Sequence, residues 1–102
     1  MAIDANNIGT ILKAKGDLEG ALTYIQRAMK IDERIYGPDH PQVAIDANNI
    51  GQILEAKGDV EGALSYIQRA QRILEKSYGP THHATKQAAA DLERIKLLQE
   101  KH

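Results

Sequence analysis

Apolar residues recur along this chain every three or four positions, which is the period of a helix with one buried face. The first apolar stripe consists of Ala5, Ile8, Ile11 and Leu12. Gly16 ends that stripe, and Asp17 is a residue type that caps the N-terminus of a following helix. The second stripe consists of Ala21, Leu22, Ile25, Ala28, Met29 and Ile31. Gly37 is placed to end this helix in the left-handed conformation, and Pro38 cannot continue it. Along the whole chain these signals predict five helices, at about residues 2–15, 18–36, 41–57, 60–78 and 82–100, and no strand.

The chain contains an internal repeat. Residues 2–40 align with residues 44–82 at an offset of 42, with 29 identical residues in 39. The linker YGPDH at 36–40 returns as YGPTH at 78–82, and another helical segment follows. Because the loops are short, helices that are neighbours in the sequence are expected to pack antiparallel as hairpins. We therefore expect one domain over residues 1–102, with repeat 1 at about 1–40, repeat 2 at about 41–82 and a capping helix at about 83–101.

The last helix differs from its counterparts on one side only. Glu93 stands where the earlier helix has Gly51, and Lys96 stands where it has Leu54. These positions would face a following helix, so we expect both side chains to be exposed, as on a terminal cap. Gly51, by contrast, is expected to allow close contact with Ala63 of the next helix, and Gly9 with Ala21 in the first repeat.

The repeat resembles the tetratricopeptide repeat, an array of helical hairpins. In the first copy the matching residues are Ala5, Ile8, Gly9, Leu12, Gly16, Asp17, Ala21, Ile25 and Ala28. In the second copy they are Ala47, Ile50, Gly51, Leu54, Gly58, Asp59, Ala63, Ile67 and Ala70. The period of 42 and the GPDHP linker resemble the kinesin-light-chain type of this repeat. The resemblance implies an all-α, right-handed solenoid of two helical hairpins and a capping helix, acting as a protein–protein interaction scaffold.

In such arrays the first helix of each hairpin lines a concave groove for a peptide or a partner protein. The resemblance places the following residues in that groove: Ile3, Asn6, Thr10 and Lys13, then Ile45, Asn48, Gln52 and Glu55, then Gln87, Ala90, Arg94 and Leu97. Asn6 and Asn48 match an asparagine that holds the backbone of an extended peptide in the kinesin-light-chain type, and a carboxamide can both donate and accept hydrogen bonds. A plain solvated polar face is the alternative. The family's clamp for C-terminal carboxylates needs Lys in place of Asn6 and Asn in place of Thr10, so this ligand is disfavoured.

Composition narrows the function further. The absence of cysteine excludes a disulfide framework and a thiolate metal site. A net charge of −1 and only four aromatic residues, all tyrosines, argue against nucleic acid or an anionic membrane as the partner. No apolar run approaches the length of a membrane span. We expect the protein to be located in the cytoplasm. Neither histidine spacing nor any other motif predicts a metal ion, a cofactor or an enzymatic site.

Three further features leave alternatives open. Basic residues form a stripe on the second helix of each hairpin, Arg27, Lys30 and Arg34, then Arg69, Arg72 and Lys76. This stripe is either a surface for phosphate or an acidic partner, or a solvated convex face offset by Asp32, Glu33 and Glu75. These helices also have a glycine near their start, Gly20 and Gly62. One explanation is that another backbone approaches closely at this position. The second functional interpretation is a self-assembly module that forms a homodimer through an uncovered first helix.

Overall fold

The computed structural model describes residues 16–100, which form four α-helices and no strand. We number them α1 (Leu18–Tyr36), α2 (Pro41–Ala56), α3 (Val60–Tyr78) and α4 (His83–Glu100). The sequence predicts these four helices to within one residue at each end. The predicted helix at residues 2–15 lies outside the described residues. Successive helices pack on each other in order, α1 on α2, α2 on α3 and α3 on α4, as in an all-α hairpin solenoid.

Two aspartates begin α1 and α3. The carboxylate of Asp17 accepts the backbone N–H of Gly20, and Asp59 accepts that of Gly62, both at 2.9 Å. A Cβ on Gly20 or Gly62 would lie only 2.5 Å from the capping carboxylate. The expected reason for these glycines, close approach of another backbone, is therefore wrong. Glycine leaves room for the capping side chain of its own helix.

The linkers end and begin helices in the same way in both repeats. Gly37 follows α1 with a φ of +94°, as predicted, although its ψ of 162° is extended rather than left-handed helical. His40 then caps α2, because its Nδ1 accepts the N–H of Gln42 at 3.0 Å. The imidazole stacks on the ring of Tyr36, with 4.4 Å between centroids. Residues 78–84 repeat this arrangement, so the linker fixes the turn between hairpins.

Close packing between α2 and α3 depends on Gly51. A Cβ at this position would lie 2.5 Å from Cγ1 of Ile67 and 3.2 Å from the carbonyl oxygen of Ala63. Ala63 and Ile67 are fully buried. The predicted contact of Gly51 with Ala63 is confirmed, and Ala21 is also fully buried, while Gly9 lies outside the described residues.

The core also contains a pair of acidic side chains. Asp32 on α1 is 2% exposed and Asp46 on α2 is 0% exposed. Burial, followed by the hydrogen bond and the negative charge of Asp32, raises the pKa of Asp46 to about 8. The expectation that Asp32 offsets the basic stripe on the surface is therefore wrong, because its side chain points into the core towards α2.

The outer face of α4 is polar, as expected. Glu93 and Lys96 are both exposed. Their counterparts on α2 are Gly51, which is buried, and Leu54, which is partly buried under α3. On its other side α4 buries Leu92 and Ile95 in a cluster with Ala63 and Ile67. The helix thus has one face packed on α3 and an opposite face open to solvent.

Candidate functional site

A small cleft separates α2 from α4, with one residue of α3 at its floor. Its volume is about 200 Å³. Most of its surface is apolar, and its apolar lining residues are Ala44, Leu74, Ala84, Ala88 and Ile45, the last of which has 48% of its area exposed. The remaining lining residues are His83 and the carboxamides Asn48, Asn49 and Gln87, so no carboxylate, lysine or arginine lines it. The cleft is thus an apolar recess with hydrogen-bonding groups at its walls.

Asn48 is the polar side chain of the cleft with an unmet hydrogen bond. Its Oδ1 is buried and has no hydrogen-bond partner among the described residues. A buried acceptor without a partner costs about 1–3 kcal/mol. The residue as a whole is partly exposed, and the terminal torsion of asparagine is two-fold and soft, so the carboxamide can turn its oxygen towards the cleft. An N–H donor placed in the cleft would satisfy it.

Charged residues lie farther along the same pair of helices. Arg94 on α4 donates to Glu55 on α2, and its second Nη atom lies 3.6 Å from Oδ1 of Asp91. The hydrogen bond with Glu55 raises the pKa of Arg94, so the guanidinium remains charged. This ion pair joins α2 to α4 at the surface, about two helical turns beyond Asn48. Glu55 and Arg94 therefore neutralise each other, and a ligand would have to break this ion pair to bind either side chain.

The structure brings together part of the predicted groove. Ile45, Asn48 and Gln87 line one cleft, and Glu55 and Arg94 form one ion pair. Three other predicted residues of α2 and α4 do not line the cleft, namely Gln52, Ala90 and Leu97. All three are accessible to solvent, and Leu97 is 55% exposed. The first row of the predicted groove, Ile3, Asn6, Thr10 and Lys13, lies outside the described residues.

The basic stripes occupy two different environments. On α3, Arg69 and Lys76 are paired with acidic residues of the first repeat, and Arg72 lines a neighbouring depression of about 630 Å³. On α1, Arg27, Lys30 and Arg34 are exposed. The interpretation as a solvated face therefore describes α3 only in part, because Arg69 and Lys76 form ion pairs with residues of the first repeat.

The buried carboxyl pair is the feature that sequence reasoning missed. The signal was present in the comparison of residues 32–46 with residues 74–88 at the offset of 42. Asp32 corresponds to Leu74 at the offset of 42, and Asp46 corresponds to Ala88, so two contacting positions change from acidic to apolar together. Such a paired change at equivalent positions is the pattern expected of two residues in contact.

Residues 16–100 contain neither a cluster of metal-ligating side chains nor a membrane-spanning helix. Within that range no group of three or more His, Asp or Glu side chains is arranged to hold a metal ion. None of the helices that the structure describes is long and apolar enough to cross a membrane.

Comparison with known proteins identifies the repeat. A family model described as tetratricopeptide repeat matches residues 2–61 and again residues 45–102. The two matches together span almost the whole chain and overlap within the second repeat. A search of curated protein sequences found no match.

Proposed function

Because the chain belongs to the tetratricopeptide repeat family, whose members generally act as protein–protein interaction modules, we propose that its cleft between α2 and α4 binds an extended segment of a partner protein. The observation that carries this proposal is the Oδ1 of Asn48, buried without a hydrogen bond at the wall of an apolar recess. The role is that of a scaffold without catalysis.

The chemistry of the cleft defines what it accepts. A volume of about 200 Å³ holds one large aliphatic or aromatic side chain of the partner. The apolar floor supplies the binding energy, at about 25 cal/mol per Å² of apolar surface removed from water. A backbone N–H of the same segment then donates to Asn48. Because this bond is made to the peptide backbone, it does not depend on the side chains of the segment. The cleft therefore selects for an extended conformation, and its apolar recess selects for one apolar side chain.

The groove extends from this cleft along the first helices of the hairpins. In the proposal Gln52, Ala90 and Leu97 contact flanking residues of the segment, and Ile3, Asn6, Thr10 and Lys13 continue the surface. The 42-residue period and the GPDHP linker support an assignment to the kinesin-light-chain type of repeat, in which Asn6 and Asn48 act as successive backbone contacts. The domain organisation that goes with it is repeat 1 at 1–40, repeat 2 at 41–82 and a cap at 83–101.

A peptide selection tests this proposal. A random 12-residue peptide library displayed on phage is selected against the full chain, and one enriched peptide is labelled for fluorescence anisotropy. One neutral hydrogen bond is worth about 0.5–1.5 kcal/mol, so Asn48→Ala should weaken binding roughly 2–10-fold. Gln68→Ala is the matched control, because Gln68 is an exposed carboxamide on α3, and it should change nothing.

A second variant closes the cleft without touching the hydrogen bond. Ala84 lines the recess and is partly exposed, so Ala84→Phe should fill it and abolish binding while the helix content stays unchanged. The proposal is wrong if no peptide is enriched, or if the enriched peptides bind Asn48→Ala and Ala84→Phe as tightly as the wild type.

The alternative function, a homodimer through the first helix, concerns residues outside those described. Its test is the molar mass over a range of concentrations by light scattering. A mass that rises towards that of a dimer, and falls back when Ala5 is replaced by Glu, would support self-assembly. A constant monomer mass would exclude it.

A further inference from the structure

Asp91 on α4 has a buried carboxyl group with one oxygen that lacks a hydrogen bond. The residue is 8% exposed, and its Oδ2 is buried and has no hydrogen-bond partner among the described residues. Its Oδ1 accepts a bond from Nε2 of Gln87 at 3.4 Å, which is longer than the usual range of about 2.7–3.2 Å. A buried acceptor without a donor is unfavourable, so this position favours a ligand that supplies a donor.

The charges around Asp91 indicate which kind of donor is suited to it. Arg94 donates a hydrogen bond to Glu55 on α2, whereas its Nη2 lies 3.6 Å from Oδ1 of Asp91, beyond hydrogen-bond range. Within residues 16–100 Asp91 forms no other ion pair. One guanidinium therefore faces two carboxyl groups and gives its hydrogen bond to Glu55, so a second cation would complement this cluster.

The sequence shows that this carboxyl group distinguishes α4 from α2. At the offset of 42, Asp91 stands where α2 has Asn49. A carboxamide both donates and accepts hydrogen bonds, whereas an ionised carboxyl group only accepts them. The last helix thus lacks the donor of its counterpart and carries an acidic group instead.

Asp91 lies beside the cleft between α2 and α4, behind one of the residues of its wall. Gln87 lines the cleft and is exposed. Asp91 follows it by one helical turn, about 6 Å along the helix axis, and two residues of an extended peptide span a similar distance of about 6.6 Å. Because the bond from Gln87 to Asp91 is long, a ligand in the cleft can displace the carboxamide and reach the carboxyl group.

We propose that the peptide segment bound in the cleft carries a lysine or arginine within two positions of its apolar anchor, and that this basic side chain donates to Oδ2 of Asp91. This charge preference rests on the peptide binding proposed above. The anchor fills the apolar recess, the peptide backbone donates to Asn48, and the basic side chain supplies the donor that Asp91 lacks.

Parallel peptide selections test the charge preference. A random 12-residue library displayed on phage is selected against the full wild-type chain and against the full chain with Asp91→Asn, which keeps the shape of the side chain. Peptides enriched on the wild type should carry a basic residue near an apolar residue more often than the input library, and peptides enriched on the variant should not. Glu93→Gln, which removes an exposed carboxyl group of the same helix, is the matched control and should keep the preference.

Binding of one enriched basic peptide is then measured by fluorescence anisotropy. Asp91→Asn should weaken binding roughly 10–100-fold, because a hydrogen bond between charged groups is lost. Replacing the basic residue of the peptide by glutamine should have a similar effect, and combining the two changes should add little. Glu93→Gln should leave the affinity nearly unchanged. Circular dichroism verifies the helix content of each variant, and the neutral peptide tests the same contact on the unaltered protein.

The outcomes separate this charge preference from peptide binding itself. If enriched peptides lose affinity with Asn48→Ala and Ala84→Phe but bind Asp91→Asn normally, or if the neutral peptide binds as tightly as the basic one, the charge preference is wrong and peptide binding in the cleft stands. If no peptide is enriched on the wild type, both are wrong.

Discussion

Replacing Asp32 by Leu and Asp46 by Ala would give α1 and α2 the side chains that α3 and α4 have at the equivalent positions, Leu74 and Ala88. Both carboxyl groups are withdrawn from water. Two carboxylates in contact cannot both ionise at low cost, and the pKa of Asp46 is about 8 against the ordinary value of 3.8. The folded chain therefore holds a proton that the unfolded chain releases.

The sign of the pH dependence follows from this difference. A pKa that is higher in the folded state stabilises the fold fully below pH 4, and this contribution is lost as the pH rises towards 8. The loss in the free energy of unfolding is at most about 6 kcal/mol, because each unit of pKa difference corresponds to 1.36 kcal/mol. Asp32→Leu/Asp46→Ala removes both buried carboxyl groups and keeps a filled core, so this variant should be more stable than the wild type at pH 8.

Urea unfolding followed by circular dichroism between pH 5 and pH 8.5 measures this effect. The wild-type midpoint should fall with rising pH, and the double variant should show a much flatter profile. Glu61→Gln removes an exposed carboxylate and is the control, which should keep the wild-type slope. Equal slopes for the wild type and the double variant would show that the raised pKa of Asp46 is not the cause of the pH dependence.

Two predictions concern glycines in helices. Gly51→Leu should lower the unfolding free energy by about 1–3 kcal/mol or more, because even its Cβ would meet Ile67 at 2.5 Å, whereas Ala56→Leu at the exposed end of the same helix should leave the melting temperature nearly unchanged. An unchanged melting temperature for Gly51→Leu would contradict the close packing of α2 on α3. The methyl group of Gly62→Ala would meet the capping carboxylate of Asp59. Gly62→Ala should therefore stabilise α3, by about 0.5–1 kcal/mol, only in a chain that also carries Asp59→Ala. Additive effects of these two substitutions in urea unfolding would show that they do not contact each other.

The sequence predicts most of the fold because its signals act locally. Asp17 and Gly37 mark helix ends through contacts within a few residues, and the structure places these ends as predicted. The close contact at Gly51 was also predictable, since a glycine within an apolar helical stripe marks a place where another helix packs closely. These features depend on residue type and spacing, which are visible without the tertiary structure.

The candidate site was less predictable because its properties depend on neighbours distant in the sequence. The family alignment indicates that Glu55 and Arg94 share a face, but it does not show that they neutralise each other across two helices. Asp32 likewise lies between polar and apolar positions on its own helix, and its burial and its hydrogen bond with Asp46 appear only in the tertiary structure. Side-chain partners from other helices decide which groups remain available to a ligand.

NMR mapping of a selected peptide shows directly whether the cleft between α2 and α4 binds it. The labelled chain is titrated with an enriched peptide, and shift changes are compared between the wild type and Asn48→Ala. The largest changes should cluster on Ile45, Asn48, Ala84 and Gln87 and should weaken in the variant. Changes confined to the outward faces of α1 and α3, or equal changes in the variant, would contradict it.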